Sequence, residues 1–203
     1  MKIKEIKPNI FLVTHKRQEF VNQTFVRFQE HYENDEFAGK IFTLGEFRQR
    51  YIERFGQWSY DTDWAGFNIP SSALKPFYDG LFDPLTSKEK AFLKVFSHLD
   101  KPFYVIGMSE NGMTDVLEHE ISHGLYFTNK KYRKLMDKLV DDIPKKLYKR
   151  LCSSLTYRSY APAVHKDEIR AYLGTMTGDT IGDTLIPEEI ISVFRYIRKR
   201  YDK

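Results

Sequence analysis

A single cysteine, Cys152, stands in 203 residues. That excludes an intramolecular disulfide and a cysteine-ligated zinc site, and it fits a reducing compartment. Its neighbours Leu151, Ser153 and Ser154 offer nothing that would lower a thiol pKa, so a buried thiol is expected there and not a nucleophile. Long apolar runs are also missing. No stretch approaches the roughly 20 residues of a membrane-spanning helix, and Met1 to Lys7 alternate charge where a secretory signal would have an apolar core. The expectation is a cytoplasmic protein without a membrane partner. An excess of one charge is lacking as well. The balance is 32 basic against 28 acidic residues, +4 net, without the dense basic stripe that nucleic acid would call for. The densest basic stretch, residues 195–203, reads as the solvated face of a last helix. There is no internal repeat and no low-complexity tract.

What the chain does have is aromatic and apolar mass. Apolar residues make up 41% and aromatics 15%, enough to build a globular core from few side chains. The length suits one domain over 1–203, divisible into an N-terminal lobe over about 1–85 and a catalytic part over about 86–203.

The patterning gives a coarse map. Ile10 to Thr14 is β-branched and apolar after Pro8-Asn9 and reads as a strand. Phe20, Thr24, Phe25, Phe28 and Tyr32 recur at helical spacing. Residues 40–44 read as a strand and 45–55 as a helix. Residues 58–76 read as an aromatic-rich loop, with Trp58, Tyr60, Trp64 and Phe67, able to line a cleft. Thr86 and Glu89 form a capping box ahead of an apolar stripe at Phe92, Val95, Phe96 and Leu99. Residues 103–106 form the best strand, 107–112 a loop, and a helix runs from about Asp115 to Phe127, with Asn129 as its stop. Helices are expected at about 132–140, up to Leu151, over 167–173, and from Pro187 onward, with 174–182 as loop. Helices dominate over a few strands with no βαβ alternation, so the class is α+β.

One of these helices carries chemistry: His119-Glu120-Ile121-Ser122-His123. Residues i and i+4 share a helix face, so both imidazoles can reach one ion, and two nitrogen donors are what zinc accepts. Glu120 projects beside the pair. Zinc acidifies water toward neutrality, and a carboxylate so placed can take the proton as the water attacks a carbonyl. The flanking Val116, Leu117, Ile121 and Leu125 suit a helix packed on a core. Glu118 should face out or hold a histidine.

This helix, with the strand and loop before it, resembles the active-site helix of the zincin metallopeptidases. The resemblance covers a tenth to a fifth of the chain. It implies a zincin-like fold with a small sheet beside the helix, a Zn2+ cofactor, a peptide or protein substrate, His119 and His123 as metal ligands and Glu120 as general base. The metzincin branch has a further histidine soon after the motif; here Gly124 follows His123 and no such histidine does. The gluzincin branch takes its third ligand from a glutamate on a later helix. That implies Glu168, followed by Ala171 and Tyr172, with Asp167 and His165 as alternatives. An oxyanion-stabilising donor is expected among His165, Tyr157, Tyr160 and Tyr172, with His165 preferred. Asp115, Asp142 and Asp167 are candidates to orient a ligand imidazole. The function expected is a zinc-dependent peptidase; the alternative is a zinc-binding or protein-interaction domain without catalysis.

Overall fold

A computed structural model describes the chain except for Met113, Ser159, Lys203 and the side chain of Thr114. Lys203, the last residue of the basic stretch, thus lies outside the described residues. The fold is α+β, mostly helical around a small mixed sheet.

The chain opens with an antiparallel pair, β1 (Lys2–Lys7) and β2 (Ile10–His15). Asn9 makes the turn at φ 61°, a left-handed value that asparagine tolerates better than most residues. Helix α1 (Gln18–Glu33) follows, then α2 (Leu44–Phe55) and a single turn, α3 (Tyr60–Asp63). Next come β3 (Gly66–Pro70), a 3-10 turn at Ser71–Leu74, another single turn, α4 (Lys75–Tyr78), and α5 (Ser87–Phe96). Strand β4 (Tyr104–Ser109) precedes α6 (Thr114–Thr128), α7 (Lys130–Asp141) and α8 (Lys145–Tyr157). Helix α9 (His165–Thr175), a small hairpin of β5 (Thr180–Ile181) and β6 (Thr184–Leu185), and α10 (Glu188–Arg200) complete it.

The main sheet runs β1-β2-β4-β3, with β2 and β4 parallel and both outer pairs antiparallel. Strands from both sides of residue 85 therefore pair in one sheet. Strand β4 is central and buried on both faces, as its near-continuous apolar run requires. Val105, Phe67 and Ile69 point into one core with Phe25 and Phe28 of α1 and Phe92 of α5. Tyr104 and Ile106 point into a second core with Ile121 and Leu125 of α6, Ile169 and Leu173 of α9 and Phe194 of α10. The strand period of two sorts these side chains. Each fully buried Phe or Leu contributes about 1.5–3 kcal/mol.

Several local expectations are corrected. Residues 40–44 form no strand: Thr43 accepts from the Glu46 backbone N–H and Glu46 reaches back, a capping box that starts α2. The aromatic segment 58–76 is not loop but contains α3, β3 and the turns after it. Residues 107–109 continue β4, paired with Val13, Thr14 and His15 of β2; a Cβ at Gly107 would sit 2.5 Å from the Phe25 ring, so this glycine serves close packing and not a turn. Asn129 begins α7 rather than merely ending α6, its side chain accepting from the N–H groups of Lys131 and Tyr132. Strand β1 was invisible in a charge-alternating stretch, and the 180–185 hairpin falls partly in the expected loop. The basic C-terminal stretch is only partly a solvated face: Arg198 is buried and pairs with Glu118 at 2.9 Å.

Candidate metal centre

Helix α6 lies against β3 and β4 and packs on α9. It presents His119 and His123 on one face, as their i, i+4 spacing requires, and α9 brings Glu168 to the same point. The Nε2 atoms of the two histidines are 3.1 Å apart. Glu168 Oε2 is 3.4 Å from His119 Nε2, and Glu168 Oε1 is 3.4 Å from His123 Nε2. One donor atom from each residue falls within 4.8 Å of the others, so the three could hold a metal ion. Glu168 is buried, with Oε2 lacking any hydrogen-bond partner.

Asp167, one residue earlier on α9, takes a different part. Its Oδ2 lies 2.9 Å from His123 Nδ1. A carboxylate only accepts, so Nδ1 carries a proton toward Asp167, and Nε2 is the nitrogen left facing Glu168 and His119. Arg170 holds Asp167 from behind at 3.4 Å, pairs with Asp137 at 2.8 Å, and lies 3.5 Å over the Tyr126 ring. Asp167 is kept below its ordinary range: burial opposes this, and His123 and Arg170 outweigh it. His123 is pushed up to about 10, again against the effect of burial, by Asp167 and Glu168. The site favours a positive charge at this point, which a proton or a metal cation supplies.

Glu120 projects toward β3 and lines the same cavity as His119 and Glu168. It is 7% exposed, and its Oε2 has no hydrogen-bond partner. Burial raises its pKa, with His119 and His123 pulling the other way. Gly66 leaves room for it: a Cβ there would lie 2.8 Å from Val116 and 3.3 Å from Glu120 Oε1.

These groups open onto a cavity of about 470 Å³. His119, Glu120, Glu168, Tyr160 and Tyr172 line it, together with Trp64, Gly66 and Asn68 and, after α9, Met176, Gly178 and Ile181. The Tyr172 ring sits 4.6 Å from that of His119. Arg195 of α10 donates to the Met176 carbonyl at 3.0 Å and so ties that last segment to α10.

The expected residues separate cleanly. His119, His123, Glu168 and Glu120 converge. Asp167 contacts His123 and not the shared donor point, and Asp142 is an exposed helix end. Asp115 is exposed at the cavity rim. His165 is not at the rim: it is buried, with Nε2 3.0 Å from the Tyr160 carbonyl, and of the expected oxyanion donors Tyr160 and Tyr172 line the cavity. Tyr157 is outside this cavity and almost fully exposed.

Sequence reasoning missed Glu33, Asn68, Asp137 and Arg170. Asn68 is the one residue of β3 with a signal, a polar side chain among Phe67, Ile69 and Pro70; it accepts from the Tyr104 hydroxyl at 2.5 Å. Its backbone N–H donates to Gln29 Oε1 at 3.1 Å, and the Gln29 amide donates to Glu33.

Comparison of the chain with protein-family models, with curated proteins and with solved structures finds no match. The site is therefore read from its own geometry.

Proposed function

We propose that the chain is a zinc-dependent hydrolase, zincin-like in its site, acting on peptide bonds. The observation that carries this is the donor triangle of 3.1, 3.4 and 3.4 Å among His119, His123 and Glu168. Donors at about 2.0–2.1 Å from one tetrahedral ion are spaced about 3.3 Å apart. Three protein donors with an open cavity beside them suit a catalytic zinc, which keeps a fourth position free. Zinc bound there would acidify a water and polarise a carbonyl.

The chain's own groups supply the rest. Asp167 fixes the His123 tautomer, and Arg170 keeps Asp167 ionised and in place. Glu120, desolvated and with Oε2 free, can take a proton from an attacking water and return it to a leaving amine. Tyr160 and Tyr172 can donate to developing negative charge on the substrate. An inert structural site would have no use for a buried, half-partnered carboxylate beside three ligands.

The test is metal content and turnover together. Purified protein should carry one zinc per chain, and His119→Ala and Glu168→Ala should each remove it. Retention of stoichiometric zinc in both variants would sink the ligand assignment. Zinc bound without any peptide cleavage would leave a metal-binding domain without catalysis.

A further inference from the structure

A carboxylate that the proposed reaction does not use also faces the cavity. Glu33 closes α1 and lines the cavity beside His119, Glu120 and Glu168. Its hydrogen-bond partner is the neutral Gln29 amide, and no lysine or arginine among the described residues pairs with it. Burial and the nearby Glu168 and Glu120 disfavour its charge, with His123 acting the other way. The same cavity holds the free Oε2 of Glu120, 7% exposed.

Glu33 is also where this cavity meets a second one, of about 490 Å³, and the two share Gln29, Glu33, Trp64, Arg158, Tyr160 and Tyr172. The second is walled by aromatic rings, with Phe47, Tyr51, Phe55 and Tyr60 beyond the shared ones, and holds Glu30, Asp63 and Arg54. Aromatic faces with a carboxylate between them attract ammonium and guanidinium groups. The protein's own Arg158 already uses this wall, 5.8 Å over the Tyr172 ring.

We infer that Glu33, at the junction of the two aromatic-walled cavities, recognises a cationic group of the substrate next to the scissile bond. Resting on the peptidase reading, this narrows the substrate to peptides with a Lys or Arg side chain, or a free N-terminal amine, at that bond.

The test uses zinc-loaded full-length protein and three hydroxamates, which grip zinc without turnover: N-acetyl-norleucine hydroxamate without a cation, N-acetyl-lysine hydroxamate with a side-chain cation, and norleucine hydroxamate with a free α-amine. One cationic probe should bind about tenfold tighter or more than the neutral one, a gap of about 1.4 kcal/mol, and which one wins names the source. In Glu33→Gln the preference should collapse. Equal affinity of all three for the wild type, or an undiminished preference in Glu33→Gln, overturns the inference. Blocked and unblocked peptides with and without Lys then separate the two claims. Preserved hydroxamate preference with no peptide cleaved defeats the peptidase reading alone, and cleavage indifferent to charge defeats the cation subsite alone.

Discussion

The two faces of the sheet treat buried charge in opposite ways. On the first face, Arg27 is buried in aromatic surroundings and meets Glu89 through two bonds, 2.7 Å from Nε and 2.5 Å from Nη2, while Nη1 donates to the Phe82 carbonyl at 3.0 Å. In that pair each charge meets its opposite, whereas Glu30 on the same helix has only a hydroxyl and an amide as partners. On the second face, Glu120 and Glu168 each keep a buried oxygen without a partner, and Glu33 nearby has only an amide. Burying a carboxylate oxygen without a hydrogen-bond partner is costly, and on this side it happens at two neighbouring acids that line one cavity.

The largest effect expected from this contrast is at Glu120. Glu120→Gln keeps the metal and lowers kcat by about 10²–10⁴-fold; stopped-assay rates with metal content measured on the same sample check it, and unchanged turnover would remove the general-base role. Arg27→Ala, on the paired face, should destabilise by about 3–5 kcal/mol by stranding Glu89, with metal affinity intact in the folded fraction. Denaturant titration reads the first and a zinc-chelator competition the second. If Arg27→Ala instead released metal, the two faces would not be independent.

Glu30 lies between the two cases. It is buried, bonded to the Tyr60 hydroxyl at 2.6 Å and the Asn34 amide at 2.6 Å, and its pKa is pushed up from 4.5 to about 7, chiefly by burial. A folded-state pKa above the unfolded one means the folded chain binds the proton more tightly. The stabilisation is complete below pH 4.5 and disappears as pH rises through about 7. The difference in unfolding free energy between wild type and Glu30→Gln should therefore shift by up to about 3 kcal/mol across that window. A flat difference would mean that Glu30 is ionised throughout. The smallest expected effect is Asp167→Asn, which should weaken metal binding by about 10–100-fold without removing it. Complete loss would make Asp167 a ligand rather than the group that orients His123.

Legibility followed the range of the interaction. His119, Glu120 and His123 were readable because four residues along a helix set their mutual position whatever the rest of the chain does. The capping box at Thr86 and Glu89 was readable for the same reason and is present. The box at Thr43 and Glu46 is equally local, yet it went unread, and residues 40–44 read as a strand. Glu168 was reached only through a resemblance, with Asp167 and His165 open beside it, because adjacent helical residues project about 100° apart and only the docking angle of α9 selects among them. His165 was misplaced at the rim for that reason. Glu33 gave no signal at all: the last residue of a helix near the N-terminus reads as solvated until α1 is laid against the sheet.

The sequence alone thus determined that two imidazoles and a carboxylate share one helix, since that depends on helical period and nothing else. Tertiary structure alone decided which later acid completes the donor set, which one orients His123, and which one is left uncompensated in the cavity. Those choices depend on how β3, α1 and α9 pack around α6, and packing is settled by apolar burial summed over the whole chain, not by residues near one another in sequence.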